Sequence, residues 1–225
     1  MSIARNARWW ALDYAAAVRW QLGPLLRHHD PAAYLRGRPG MRPVVVLPGI
    51  WETWRFLLPL IERIHRAGHP VHAVTALRAN GATVDSSAEI VAGYLADHDL
   101  DDVLVVAHSK GGLIGKQLML RPDSGPRVRA MLAISTPFSG SAYAPYLLLR
   151  SLRAFSPTDP TTVRLKADRS VDARITSVWA AFDPHIPVGS ELAGAVNRRI
   201  DDGGHFRILR NPQVLAEVDR FVAAF

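Results

Sequence analysis

Four consecutive aliphatic residues, Val44-Val45-Val46-Leu47, run without a polar break into Pro48-Gly49. A run this short, bounded by turn residues and lacking alternation, reads as a strand buried on both faces, the signature of a parallel sheet. The pattern recurs. Further strands are expected over 71–77, 103–107, 128–135, 175–181 and 196–200, separated by segments of helical periodicity over 53–67, 86–99, 110–120 and 211–225. Leu57, Leu58, Leu60, Ile61 and Ile64 mark the first helix. Ser86 or Ser87 is the expected cap of the second, with Ile90, Val91, Tyr94 and Leu95 inward. Val214, Leu215, Val218, Phe221 and Val222 line the last. Such alternation demands right-handed crossovers, which put helices on both faces of the sheet. The expected fold is α/β, with about six mostly parallel strands.

Length and composition agree with a globular chain. With 225 residues, 48% of them hydrophobic, it can bury a large core as one domain. The absence of cysteine excludes disulfides, thiolate metal sites and a cysteine nucleophile. The net charge is +7, and only three of the 27 basic residues are lysine. The arginines are dispersed and accompany no nucleic-acid motif, so nucleic acid is not an expected partner. His65, His69 and His72 lack a carboxylate or fourth ligand at useful spacing, and no metal or cofactor is expected.

Residues 1–41 are expected to form an N-terminal amphipathic helical segment, with the helix ending near Gly23-Pro24. Arg5, Arg8, Asp13 and Arg19 break every apolar run, which leaves no transmembrane stretch and no clear signal peptide. The expectation is a cytoplasmic protein. Trp9, Trp10, Tyr14 and Trp20 either lie at a membrane surface, giving peripheral membrane contact, or pack on the side of the domain.

In open parallel sheets, ligands bind beyond the carboxyl ends of the strands. Those ends here carry Pro48-Gly49-Ile50-Trp51, His108-Ser109, Ser135-Thr136-Pro137, Asp183-Pro184 and the run Asp202-Gly203-Gly204-His205. A serine, an aspartate and a histidine thus reach one edge from separate strands. Ser109 reads either as a helix N-cap or as a nucleophile on a sharp turn. A serine hydroxyl needs a base to take its proton, imidazole titrates in the right range, and a buried carboxylate holds the imidazole in one tautomer. Of the nine histidines, His205 is the candidate base: His108 adjoins the serine and should point away, and His185 stands two residues from the candidate acid, Asp183. Asp201 and Asp202 compete for the acid's place.

The chain order Ser, Asp, His, with Ala107-His108-Ser109-Lys110-Gly111 in place of G-x-S-x-G, resembles the α/β-hydrolase superfamily over residues 42–225. Ser135-Thr136-Pro137-Phe138-Ser139-Gly140-Ser141 is similar to the G-T-P-x-x-G-S run of bacterial triacylglycerol lipases and esterases. Asp183-Pro184-His185-Ile186-Pro187 is similar to their D-x-x-V/I-P acid loop, and Gly203-Gly204-His205-Phe206 to their histidine loop. The resemblance implies a minimal form of that fold and an esterase or lipase that cleaves carboxylic esters of hydrophobic acyl groups. Its triad would be Ser109, Asp183 and His205, and its oxyanion hole the backbone N–H groups of Ile50 and Lys110. The turn Pro48-Gly49-Ile50 has proline where the family often has histidine, which leaves a backbone donor intact. Trp51 would line the acyl pocket or belong to the core. The substrate would be a small-molecule ester or lipid. Thioesterase, acyltransferase and a silent ligand-binding relative are the alternatives, because one fold and triad serve many reactions.

Residues 138–168 break the strand–helix rhythm. Within residues 42–225 they are expected to form a cap over the site, with the Leu147–Leu149 region, Leu148 and Leu149 above all, facing substrate, and Arg150 and Arg153 facing solvent or lipid headgroups. The alternative is a plain connecting helix on the flank.

Overall fold

The computed structural model describes residues 3–22 and 29–225, and the side chains of 8–20, 29–149 and 151–225. The expected end of the first helix at Gly23-Pro24, and the side chain of Arg150, lie outside the described residues. Among the described residues, six strands form one sheet: β1 (Val44–Leu47), β2 (Val71–Ala73), β3 (Val103–His108), β4 (Val128–Ile134), β5 (Ile175–Phe182) and β6 (Val196–Gly203). Their order is β2-β1-β3-β4-β5-β6, and every pairing is parallel. The helices are α1 (Ile3–Leu22), α2 (Leu58–Arg66), α3 (Val84–Asp97), α4 (Lys110–Leu120), α5 (Arg150–Arg153), α6 (Pro160–Ala167) and α7 (Pro212–Ala223).

Side-chain alternation along each central strand feeds two cores. Val44 and Val46 of β1 and Leu104 and Val106 of β3 pack with α2, α7 and Trp20 of α1 on one face. Val45, Leu47, Val103 and Val105 pack with α3, α4 and Leu165 of α6 on the other. Both faces of β1 and β3 are dry, so continuous aliphatic runs are what these positions require. Edge strand β6 has one side open to water and reads accordingly, as VNRRIDDG.

Several boundaries differ from expectation. β2 stops at Ala73, and Thr75–Leu77 is a 3-10 turn, because an edge strand with one neighbour gains little from further pairing. Helix α3 begins three residues before Ser87, at Val84, and its cap is Thr83, whose Oγ1 accepts the N–H of Ser86 at 3.2 Å. The segment before α2 starts as a 3-10 turn, Trp54–Leu57, and becomes α-helical at Leu58 with Pro59 in its first turn. β6 runs three residues beyond Ile200, up to the histidine loop. Among the described residues, no helix is long and apolar enough to cross a membrane.

Candidate active site

Ser109 sits between β3 and α4 with φ 52° and ψ −122°, a conformation that L-residues avoid. The turn is held because the Ser109 N–H donates to Ile134 O at 2.8 Å while the helix starts at the next residue. Space is provided by glycine: a Cβ on Gly111 would come within 2.2 Å of Leu47 O, and one on Gly112 within 2.0 Å of Thr136 Oγ1. No side-chain cap bond is made by Ser109, so its hydroxyl remains available.

That hydroxyl lies 2.9 Å from His205 Nε2, and His205 Nδ1 lies 2.8 Å from Asp183 Oδ2. The expected serine, histidine and aspartate are therefore brought together in one buried chain of hydrogen bonds. Asp183 ends β5 in an Asx turn, its Oδ1 accepting the N–H groups of His185 at 2.8 Å and Ile186 at 3.0 Å. Burial opposes ionisation of Asp183, but the facing His205 cation, its hydrogen bond and the N–H of His185 outweigh it and hold the carboxyl below the usual carboxylate range. Burial likewise disfavours the His205 imidazolium, yet Asp183, and after it Asp13 and Glu52, leave the imidazole more basic than usual. The competing acid Asp202 is engaged elsewhere, with Asn211 Nδ2 at 2.8 Å and Arg207 at 3.5 Å.

The hydroxyl opens on a cavity of about 660 Å³. Ile50 and Trp51 line it, Trp51 at φ 58°, and so do Pro137, Phe155 and Ile186. The side chain of Lys110 does not line the cavity. Its ammonium is buried and turned away, donating to Asn80 O at 2.8 Å, Asn80 Oδ1 at 3.1 Å and Ala82 O at 2.5 Å. Burial pushes it down to about 8, so it keeps its proton at neutral pH. Asn80 in turn donates to Pro48 O at 2.7 Å, which fastens the turn carrying Ile50.

The 138–168 segment forms one wall of this cavity, and of the expected Leu147–Leu149 region Leu147 faces it while Leu148 and Leu149 do not. Leu147 and Leu152 line it, with Tyr143, Ala144 and Phe155. Leu148 is 94% exposed and Leu149 is 54% exposed, and neither lines the cavity. The chain leaves the 3-10 turn Ala144–Tyr146 in extended conformation at Leu147, so successive side chains diverge instead of sharing a helical face. Arg153 is exposed.

Other site residues carry no motif. Glu52, 3% exposed, accepts the Gly49 N–H at 2.7 Å and faces His108 Nδ1 at 2.9 Å. His108, as expected, is turned to other partners than Ser109: its Nε2 meets His205 O at 3.0 Å. Trp10 and Tyr14 of α1 line the cavity and pack with tilted rings against His185, which burial pushes down to about 3. Trp9 stacks on Phe182, and Trp20 packs edge-on against Phe56. The aromatic residues that suggested a membrane surface thus contact the domain. An isolated acid in each of the apolar stretches ALDYAA and GIWETW is the available sequence signal for Asp13 and Glu52. His65, His69 and His72 bind Arg36 O, Arg42 O and the Tyr94 hydroxyl separately.

The sequence matches no family model and no curated protein. Solved structures are similar in fold. Aspergillus fumigatus lipase B superposes with a TM-score of 0.64 at 20% identity, over 84% of this chain and 54% of that one. Bacillus licheniformis lipase BlEst2 in its mature form gives 0.64 at 14% identity, over 83% and 94%. The type II thioesterase BorB from the borrelidin biosynthetic cluster gives 0.56 at 18% identity, over 88% and 98%. The chain spans about half the length of the Aspergillus lipase and nearly all of the other two. The chain has the α/β-hydrolase fold.

Proposed function

We propose that this chain is a serine hydrolase that cleaves carboxylic esters of hydrophobic acyl groups through an acyl-enzyme on Ser109. The observation that carries the reading is the Ser109–His205–Asp183 chain of hydrogen bonds, 2.9 and 2.8 Å long, at the floor of a largely apolar cavity.

In this reading His205 Nε2 takes the hydroxyl proton as Ser109 Oγ bonds to the ester carbonyl carbon. The carbonyl oxygen becomes an oxyanion and is held by the N–H groups of Ile50 and Lys110; losing one such donor typically costs about 3–4 kcal/mol of transition-state stabilisation. The imidazolium, paired with Asp183, gives its proton to the leaving alkoxide as the C–O bond breaks. Water then repeats the cycle on the acyl group, and Ser109 Oγ leaves with the proton that water gave to His205. Leu147, Leu152 and Phe155 would hold the acyl chain.

A fluorophosphonate probe is expected to label the parent protein stoichiometrically and Ser109→Ala not at all, with p-nitrophenyl ester turnover in that variant reduced about a millionfold. Persistent labelling of another serine would move the nucleophile. A panel of oxygen esters, thioesters and acceptor alcohols run on the same preparation ranks ester hydrolysis against thioesterase and acyltransferase activity.

A further inference from the structure

The loop that carries His205 leaves edge strand β6 for the 3-10 turn Arg207–Arg210, and the N–H groups at such a junction have no ladder or helix partner of their own. Three of them converge on one side chain from the far end of the sequence. The His205 N–H donates to Asp13 Oδ2 at 2.9 Å, and those of Phe206 and Arg207 donate to Oδ1 at 2.8 and 2.9 Å. Asp13 has no exposed surface. A carboxylate so deeply buried is tolerated only where its lone pairs are filled, and here backbone donors fill them.

The two glycines before His205 belong to the same contact. A Cβ on Gly203 would lie 2.2 Å from the Trp9 ring, and one on Gly204, at φ 127°, would lie 2.7 Å from Asp13 Oδ1. Gly203-Gly204 is thus a socket for one face of α1. The neighbouring stripe of the same two turns, Trp10 and Tyr14, closes on His185 beside Asp183.

We propose that Asp13 is a positioning residue for His205, which makes α1 a working part of the active site. The consequence for turnover rests on the ester-hydrolase reading; the geometry does not. Asp13 pins the His205 N–H while His108 Nε2 pins its carbonyl at 3.0 Å, so the backbone is held on both sides of the His205 Cα. With Nδ1 on Asp183, the ring can present Nε2 only to Ser109. The carboxylate also favours the imidazolium that forms when Ser109 gives up its proton. The groups facing His205 are Asp183 and His185 from the end of β5, Asp13 from α1, Glu52 from the turn after β1 and His108 from β3. His185 is neutral near pH 7, because burial above all lowers it, so Asp13 and Glu52 are the acids besides Asp183 that support the cation.

The test compares the parent with Asp13→Asn and Asp13→Glu in thermal unfolding, ester kinetics across pH and NMR titration of the His205 ring. Asparagine keeps the shape, loses the charge and turns an NH2 against a backbone donor. Asp13→Asn is expected to fold, to lose about a hundredfold in kcat with little change in KM, and to shift the acid limb of the pH profile and the His205 titration downward. Asp13→Glu restores the titration and part of kcat. A folded Asp13→Asn with the parent's kcat and acid limb overturns the proposal. So does failure of both variants to fold, which would make Asp13 an anchor of the domain only. If the parent neither turns over esters nor labels at Ser109, the ester reading falls. The His205 titration in parent and Asp13→Asn still decides the role of Asp13, and an unchanged titration overturns it.

Discussion

Two buried acid–imidazole pairs lie side by side in this molecule, with ring centroids 5.0 Å apart. Asp183–His205 closes at 2.8 Å and Glu52–His108 at 2.9 Å, and all four residues are nearly free of solvent. They differ in what meets the far nitrogen. For His205 it is the hydroxyl of Ser109, which has a proton to give. For His108 it is the carbonyl of His205, which has none. His108 Nε2 must therefore carry a proton and donate it, which leaves that nitrogen no lone pair with which to act as a base. A buried carboxylate beside an imidazole is thus not by itself a catalytic device. The third partner decides whether such a pair is placed to move a proton or only to tie two loops together, and Glu52–His108 ties the Gly49 turn to the histidine loop.

The comparison breaks most sharply at Asp183. Asp183→Asn should keep the fold and lower kcat by about 10⁴, since an amide favours the wrong tautomer of His205. Equal loss of kcat and of thermal stability would mean that this pair, too, is chiefly structural. Glu52→Ala should do the reverse in proportion: about a hundredfold in kcat/KM, accompanied by a loss of about 1–3 kcal/mol in denaturant unfolding, because the Gly49 N–H and His108 are left without their acceptor. A Glu52→Ala variant as stable as the parent would remove the brace from the account. The smallest effect concerns pH. His205 is more basic than an ordinary imidazole of pKa 6.5, and it must be unprotonated to accept the serine proton, so kcat/KM should rise with pH through an acid limb above 6.5. Glu52→Gln preserves the hydrogen-bonding shape and removes one supporting charge, so it should move that limb slightly downward. A limb well below 6.5 in the parent would show that burial outweighs the surrounding carboxylates.

The strands of the sheet and the positions of Ser109, Asp183 and His205 are legible in the sequence, though not with equal sharpness. β1 and β3 are bounded within a residue by their aliphatic runs, because a strand dry on both faces tolerates no polar position. Edge strands β2 and β6 differ in length from what their composition suggests, since partner and solvent, more than composition, set where an edge strand stops. Ser109 is marked by the run that ends beside it and the glycines that follow, Asp183 by its strand end and turn, and His205 by its glycine loop. Leu148 and Leu149 fall outside the cavity because a cap facing substrate through them needs the periodicity of a helix, whereas the chain at Leu147 is extended.

What the sequence by itself determined was whatever depends on neighbours a few residues away: the period of apolar side chains, the glycines that permit a strained serine, and the strand ends at which Ser109, Asp183 and His205 stand. What only the tertiary structure decided was which groups from distant segments share the same few ångströms around His205. Asp13 and Glu52 each stand alone in an apolar stretch, which marks them as unusual acids, but nothing local says which donors they meet. Their roles arise because packing α1 and the Gly49 turn against the histidine loop removes water from backbone N–H groups and from a buried imidazole. Once those donors are buried they require an acceptor, and these two carboxylates are the ones the fold delivers.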